Sequence, residues 1–294
     1  MIIRRGFADL AHGQMHYRSA GSGPPLVLLH MSPGSSRQQL GLIAGLADRF
    51  TVHAPDTPGN GDSPALPVAE PTIVDLAHAM LGFIDALGLD RIALYGSHTG
   101  AAITAELAVL APGRIDRLIL DGVQRLTDAA RAEMLARYAD PFTPDLDGAW
   151  LARAFQFCRD QSLFYPWYER SRAARRSGGL PSAEALGALV TEVLKAGETY
   201  HRNYHAAFRW EAAARLPLVA IPALLIAAAD DPLCDDTRAL TPLVSGATFT
   251  ELPRYDDPDH AWARIAAIQA FADATYRQAE KPGASEDCPP APGL

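Results

Sequence analysis

Cysteine is scarce in this chain, with three residues, Cys158, Cys234 and Cys288, among 294. An odd number at wide spacing makes neither a disulfide framework nor a zinc cluster, and the expected setting is a reducing cytoplasm. Positive charge is also short: 26 Lys and Arg stand against 34 Asp and Glu, for a formal net charge of −8. That balance argues against nucleic acid or an anionic membrane as partner, since both are bound by basic surfaces. No basic start followed by a long apolar run opens the chain, so no secretory leader is read there. The apolar runs elsewhere are strand-sized or broken by charge, too short to span a bilayer. What is present is a 48% hydrophobic, 20% charged composition, that of a globular protein. The length suits one large domain or a domain with an insertion. A small molecule is the expected partner, and a monomer or homodimer the expected state.

The pattern of the chain alternates. Residues 7–10 and 14–18 read as a hairpin about His12-Gly13. Residues 25–30 form a continuous apolar run, as a strand covered on both faces requires. Helical spacing follows at 37–48, a strand at 50–56, and a second helix at 73–87 with Leu76, Met80, Ile84 and Leu87 on one face. A further strand is read at 115–120. Strand alternating with helix implies a parallel sheet with helices on both faces. From 123 to 216 the alternation stops in a helix-like, aromatic-rich stretch, then resumes with strands at 221–227 and 248–252 and a last helix over 262–276. The expected organisation is a core at 1–122 and 217–279, a helical insertion at 123–216, and a disordered Pro/Gly-rich acidic tail at 280–294.

The segment Tyr95-Gly96-Ser97-His98-Thr99-Gly100-Ala101 lies between a short buried strand and a helix of strong helix formers. A sharp strand-to-helix turn needs small residues two before and two after its apex, and Gly96 and Gly100 hold those places around His98. A register with Ser97 at the apex would set Tyr95 and Thr99 at the tight positions, which is sterically poor. The expected apex is therefore an imidazole. Histidine is also among the residues enriched at positive φ, so the apex has a purely structural reading too.

A helical segment interrupting such a sheet after its sixth strand resembles the α/β-hydrolase fold. The implied architecture is a mostly parallel eight-stranded sheet, with helices on both faces and a helical cap after strand 6. The markers are the strand ending in His30, the turn Asp56-Thr57-Pro58-Gly59-Asn60-Gly61-Asp62-Ser63, the elbow, and a late Asp and His. The elbow is similar to that of bacterial members with His-Thr-Gly in place of Ser-x-Gly. The resemblance implies Asp231 as the acid after the cap, His260 as the base before the last helix, and Asp121 as a reserve acid. It also implies an oxyanion pocket from the amides of Thr99 and Ser32, with Met31, in place of a usual glycine, as its wall. No cofactor is implied. A metal held by His98, His260 and Asp231 has no close-spaced His motif behind it.

In this reading His98, Asp231 and His260 form one set in which the acid orients an imidazole that moves a proton at the apex. The helix N-terminus and the second imidazole are both expected to keep His98 neutral. Three functions stay open. The first is cofactor-free acid–base chemistry (hydrolysis, C–C cleavage, elimination or isomerisation) on a small, partly apolar molecule. The second is ester or lactone hydrolysis through a covalent intermediate at His98 or Ser97. The third is a non-catalytic binding protein. The elbow lacks the aspartate that haloalkane dehalogenases and epoxide hydrolases use, which ranks those reactions low. Substrate contacts are expected from His30, Arg159, Gln161, Tyr165, Trp167 and Trp262. The run Arg170-Ser171-Arg172-Ala173-Ala174-Arg175-Arg176 reads as an exposed helix end, and His201 and His205 as a solvated face.

Overall fold

A computed structural model describes residues 1–279; the tail at 280–294, with Cys288, lies outside the described residues. Eight strands form one sheet in the order β1-β2-β4-β3-β5-β6-β7-β8. Strands β1 (Arg4–Leu10) and β2 (Gly13–Ala20) make the N-terminal hairpin, and β2 pairs antiparallel with β4 (Thr51–Pro55). From β4 onward every pairing is parallel, through β3 (Pro25–Leu29), β5 (Ile92–Ser97), β6 (Ile115–Asp121), β7 (Ala223–Ala228) and β8 (Thr248–Leu252).

The two faces of the sheet follow from the period of a strand, which sends successive side chains to opposite sides. In β3, Val27 and Leu29 face one side, against α2 (Ile73–Ala86) and α3 (Thr99–Leu110). Leu26 and Leu28 face the other, with α1 (Leu40–Leu46) and α10 (His260–Ala279). All four are essentially solvent-free, and a side chain so buried contributes roughly 1.5–3 kcal/mol. Helix α2 starts where it does because Thr72 and Asp75 close a reciprocal capping box.

Between β6 and β7 the chain forms α4 (Asp128–Arg137), α5 (Ala149–Leu163), α6 (Ala183–Ala196), α7 (Tyr200–Arg209) and α8 (Ala212–Arg215). The first four of these helices carry their own core, in which Phe157, Tyr138, Tyr200 and Tyr204 meet edge to face. Helix α9 (Cys234–Leu240) follows β7. The expected helix end at 170–176 is not helical. Phe164 bridges Arg175, and the amides of Tyr165 and Arg176 donate to the carbonyls of Ala174 and Leu163 at 2.8 Å. The segment turns back on the end of α5.

Strands β4 and β5 lie on either side of β3, so the chain reverses its direction of winding there. The crevice beyond the carboxyl ends of strands at such a point is where open α/β sheets place ligands.

Candidate active site

Four loops meet at that edge: those after β3, β5, β6 and β7. The tight turn after β5 puts His98 at φ 50°, and it is the single non-glycine residue with positive φ among those described. Holding it there costs on the order of 1–3 kcal/mol. The two glycines are required by contact. A Cβ on Gly96 would lie 2.2 Å from the Gly100 carbonyl oxygen, and one on Gly100 would lie 2.6 Å from that of Leu29. Gly122, after β6, gives the imidazole its space, since a Cβ there would stand 2.7 Å from His98 Cδ2.

The acid at the end of β7 is bound directly to the apex. His98 Nε2 and Asp231 Oδ2 are 2.8 Å apart. The same oxygen accepts from the Tyr255 hydroxyl, and Oδ1 accepts from the Leu233 amide at 2.7 Å. Burial pushes His98 down, but the charge and hydrogen bond of Asp231 push it further up, with help from Asp121 and against Arg176, and it lies above its ordinary value. Burial likewise pushes Asp231 up, yet the His98, Tyr255 and Leu233 contacts hold it well below the usual carboxylate range. The shift runs opposite to the one expected from the sequence, because a carboxylate at hydrogen-bond distance favours the charged imidazole more than burial disfavours it.

The expected contact between Asp231 and His260 is not formed. His260 opens α10, and its Nδ1 donates to the Pro253 carbonyl at 2.8 Å. Tyr255 touches both residues, with its hydroxyl on Asp231 and its ring 4.9 Å from that of His260. The His260 imidazole is engaged on the Pro253 carbonyl, and the Tyr255 hydroxyl takes the place on the acid.

A cavity of about 130 Å³ opens at His98. Ser32 and Thr99 line it beside Met31, and neither backbone amide has a protein acceptor among the described residues. Two donors so placed suit a developing oxyanion. Of the expected substrate contacts, Gln161 and Tyr165 line the cavity. His30 does not. It is buried, with Nδ1 on the Met31 carbonyl at 2.8 Å and Nε2 accepting from the Thr57 amide at 2.9 Å, and so ties two loops together. Arg159 is paired with Asp160. Trp167 belongs to the helical core, its indole donating to the Tyr138 carbonyl at 2.7 Å. Trp262 is 71% exposed. Ser97 is buried at the end of β5 and does not line the cavity. The reserve Asp121 is held by the Tyr95 hydroxyl at 2.6 Å and by Arg264 at 2.8 Å.

Sequence reasoning missed several contributors. Tyr138, Tyr204 and Arg176 line the cavity, and Tyr255 shares the acid. For Tyr138 and Tyr204 the signal available was their aromatic character alone. Arg176 was hidden in a charge run that usually marks solvent.

A family model described as alpha/beta hydrolase fold matches residues 24–260. Haloalkane dehalogenase 2 of Mycobacterium tuberculosis is 35% identical over 112 residues, which cover 38% of this chain and 39% of that protein. The soluble epoxide hydrolase of a Corynebacterium species is 37% identical over 117 residues, 40% of this chain and 41% of that one. The matches therefore span less than half the length of these curated relatives. A solved hydrolase from Pseudomonas aeruginosa superposes with a TM-score of 0.70 at 22% identity, covering 91% of this chain and 98% of its own. That likeness is one of fold.

Proposed function

Because the chain belongs to the alpha/beta hydrolase fold family, we propose that it is a hydrolase in which the His98–Asp231 pair acts as the general base on a small carbonyl substrate. One observation carries the reading: Nε2 is committed to Asp231 at 2.8 Å, which leaves Nδ1 as the free nitrogen of a ring that lines the cavity. Asp231 accepts the Nε2 proton and so fixes the tautomer in which Nδ1 carries a lone pair.

The steps follow from that tautomer. Water donates a proton to Nδ1 as its oxygen bonds to the ester or lactone carbonyl carbon. The carbonyl oxygen takes up the charge and is met by the amides of Thr99 and Ser32. The imidazolium, sustained by Asp231, then gives its proton to the leaving alkoxide as the carbon–oxygen bond breaks. An acid and an alcohol result. Helices α4 to α7 act as the cap that excludes bulk water. The relatives named dehalogenase and epoxide hydrolase do not decide the chemistry here, because an ester-forming displacement needs a carboxylate where this chain has an imidazole. His260 takes no part, and Ser97 is not the nucleophile.

The test is a screen of small esters and lactones followed by His98→Asn, an exchange that tolerates positive φ. The expected loss is roughly 10²- to 10⁴-fold in kcat/KM. Turnover that survives both His98→Asn and Asp231→Asn, or a covalent label lodging on Ser97, would overturn the reading.

A further inference from the structure

Arg176 is the one guanidinium among the described residues that lines the cavity at His98. It is half-buried, and its Nη1 donates to the Gln161 carbonyl at 3.1 Å. It forms no ion pair with any described carboxylate. The acids that share its outer cleft, Asp230 and Asp256, are held by Arg254 at 3.7 and 3.0 Å. The neighbouring basic residues Arg159 and Arg170 are both spent on Asp160 at 2.7 Å. In a chain of net charge −8, a partly desolvated cation left without a counterion is an unbalanced charge, and burial of such a charge is unfavourable unless something pairs with it.

The remaining walls say what the counterion belongs to. Tyr138, Tyr204, Phe208 and Trp210 supply aromatic surface. Gln161 and Gln124 are already engaged on tyrosine hydroxyls at 2.9 and 2.7 Å. A cavity of about 130 Å³ is close to the roughly 150 Å³ void that accepts a single benzene ring. One guanidinium matches one carboxylate by a paired hydrogen bond, whereas a phosphate dianion would leave a second charge unpaired in an apolar space.

Building on the hydrolase reading above, we propose that the substrate is a compact carboxylate, held through its anionic group by Arg176 while its scissile carbonyl lies at His98. The two groups belong to one small molecule, since both residues line one small cavity. Arg176 is thus a specificity-determining residue, and neutral esters of the same shape are poor substrates.

The test is calorimetric titration of the full chain with benzoate and with benzamide, its uncharged counterpart. Benzoate is expected to bind about 10- to 100-fold more tightly. Arg176→Gln abolishes the difference, and Arg176→Lys keeps part of it, because an ammonium lacks the planar fork. Circular dichroism checks that each variant is folded. If Arg176→Gln is not, the benzoate-to-benzamide ratio of the parent chain and of Arg176→Lys decides. Equal binding of the two probes, tighter binding of phenyl phosphate, no binding of benzoate up to tens of millimolar, or unchanged benzoate affinity in folded Arg176→Gln overturns the proposal. Because benzoate binding does not use the general base, a His98→Asn chain that discriminates benzoate from benzamide yet shows its parent's turnover counts against the hydrolase reading alone. Efficient hydrolysis of neutral esters with no discrimination counts against this proposal alone.

Discussion

Among the described residues, two histidine–aspartate pairs have nearly the same length, and their surroundings differ. Under the N-terminal hairpin, His16 Nδ1 and Asp56 Oδ2 are 2.9 Å apart with both side chains 1% exposed. At the elbow, His98 Nε2 and Asp231 Oδ2 are 2.8 Å apart, but the imidazole is 26% exposed. The second nitrogen makes the distinction. Nε2 of His16 accepts from Arg5 at 3.0 Å, and Asp56 also takes the amides of Ser36 and Asp62 at 2.7 and 2.8 Å. Every bonding position is filled, so the first pair can only hold loops together. His98 keeps one nitrogen unbonded at a cavity, which is the vacancy the proposed base requires. Even the group of His16, Asp56 and Asp62, whose ligand atoms lie within 4.8 Å of one another, is accounted for by these bonds together with Arg5 and Lys195 on Asp62.

The sharpest way to break the comparison is to disable each pair and measure both activity and stability. Asp231→Asn is expected to lower kcat/KM by roughly 10²- to 10⁴-fold. Asp56→Ala is expected to leave turnover per folded molecule unchanged and to lower the unfolding free energy by about 3–5 kcal/mol, because it strips a buried imidazole and two amides of their partner. Urea titration and steady-state kinetics on the same preparations read both. A large kinetic loss in Asp56→Ala that is not explained by unfolding would erase the distinction between the two pairs.

A smaller effect is expected from crowding the elbow. Gly122→Ala puts a methyl group 2.8 Å from His98 Nε2 at a backbone φ of +76°. The imidazole must swing off Asp231, and a displacement of about 1 Å is enough to cost on the order of 10²-fold in rate. The positive φ adds a stability loss of about 1 kcal/mol. An unchanged rate would mean that the contact between His98 and Asp231 is not what positions the base.

How far the sequence carries a reader depends on whether a feature is local. The elbow was legible because its sterics are contained in five consecutive residues, whereas Asp231 was named only through the family resemblance of the loop after the cap. The sheet was legible because buried strands and amphipathic helices have periods. His260 was misassigned because the stretch after β8 offers one histidine, and spacing alone does not show that a tyrosine three residues past the strand reaches the acid first. Arg176 was misassigned for the opposite reason. Its run of basic residues has the composition of an exposed helix end, while its position comes from a turn that folds back on α5 through two main-chain hydrogen bonds. Tyr138 and Tyr204 come from helices far apart in the chain, and their convergence is a property of the helical core.

The smallest expected effect is on protonation, and it tests the balance of fields at the elbow. Burial lowers the His98 value, Asp231 and Asp121 raise it, and Arg176 lowers it, with a net rise above 6.5. A base works only when deprotonated, so kcat/KM should climb with pH through a midpoint above 6.5. The same shift has a sign in stability. The raised value makes the His98–Asp231 pair fully stabilising below about pH 6.5, and that contribution fades as pH rises through the folded-state value. Asp231→Asn removes the main raising influence and leaves burial, so the midpoint should fall. Arg176→Gln removes a cation that disfavours imidazolium, so the midpoint should rise. Opposite movements in the two variants, followed by the His98 ring resonances in an NMR titration, would show that the anion and the cation act on the same imidazole. A midpoint that ignores Arg176→Gln would place the guanidinium too far from His98 for one small carboxylate to span both.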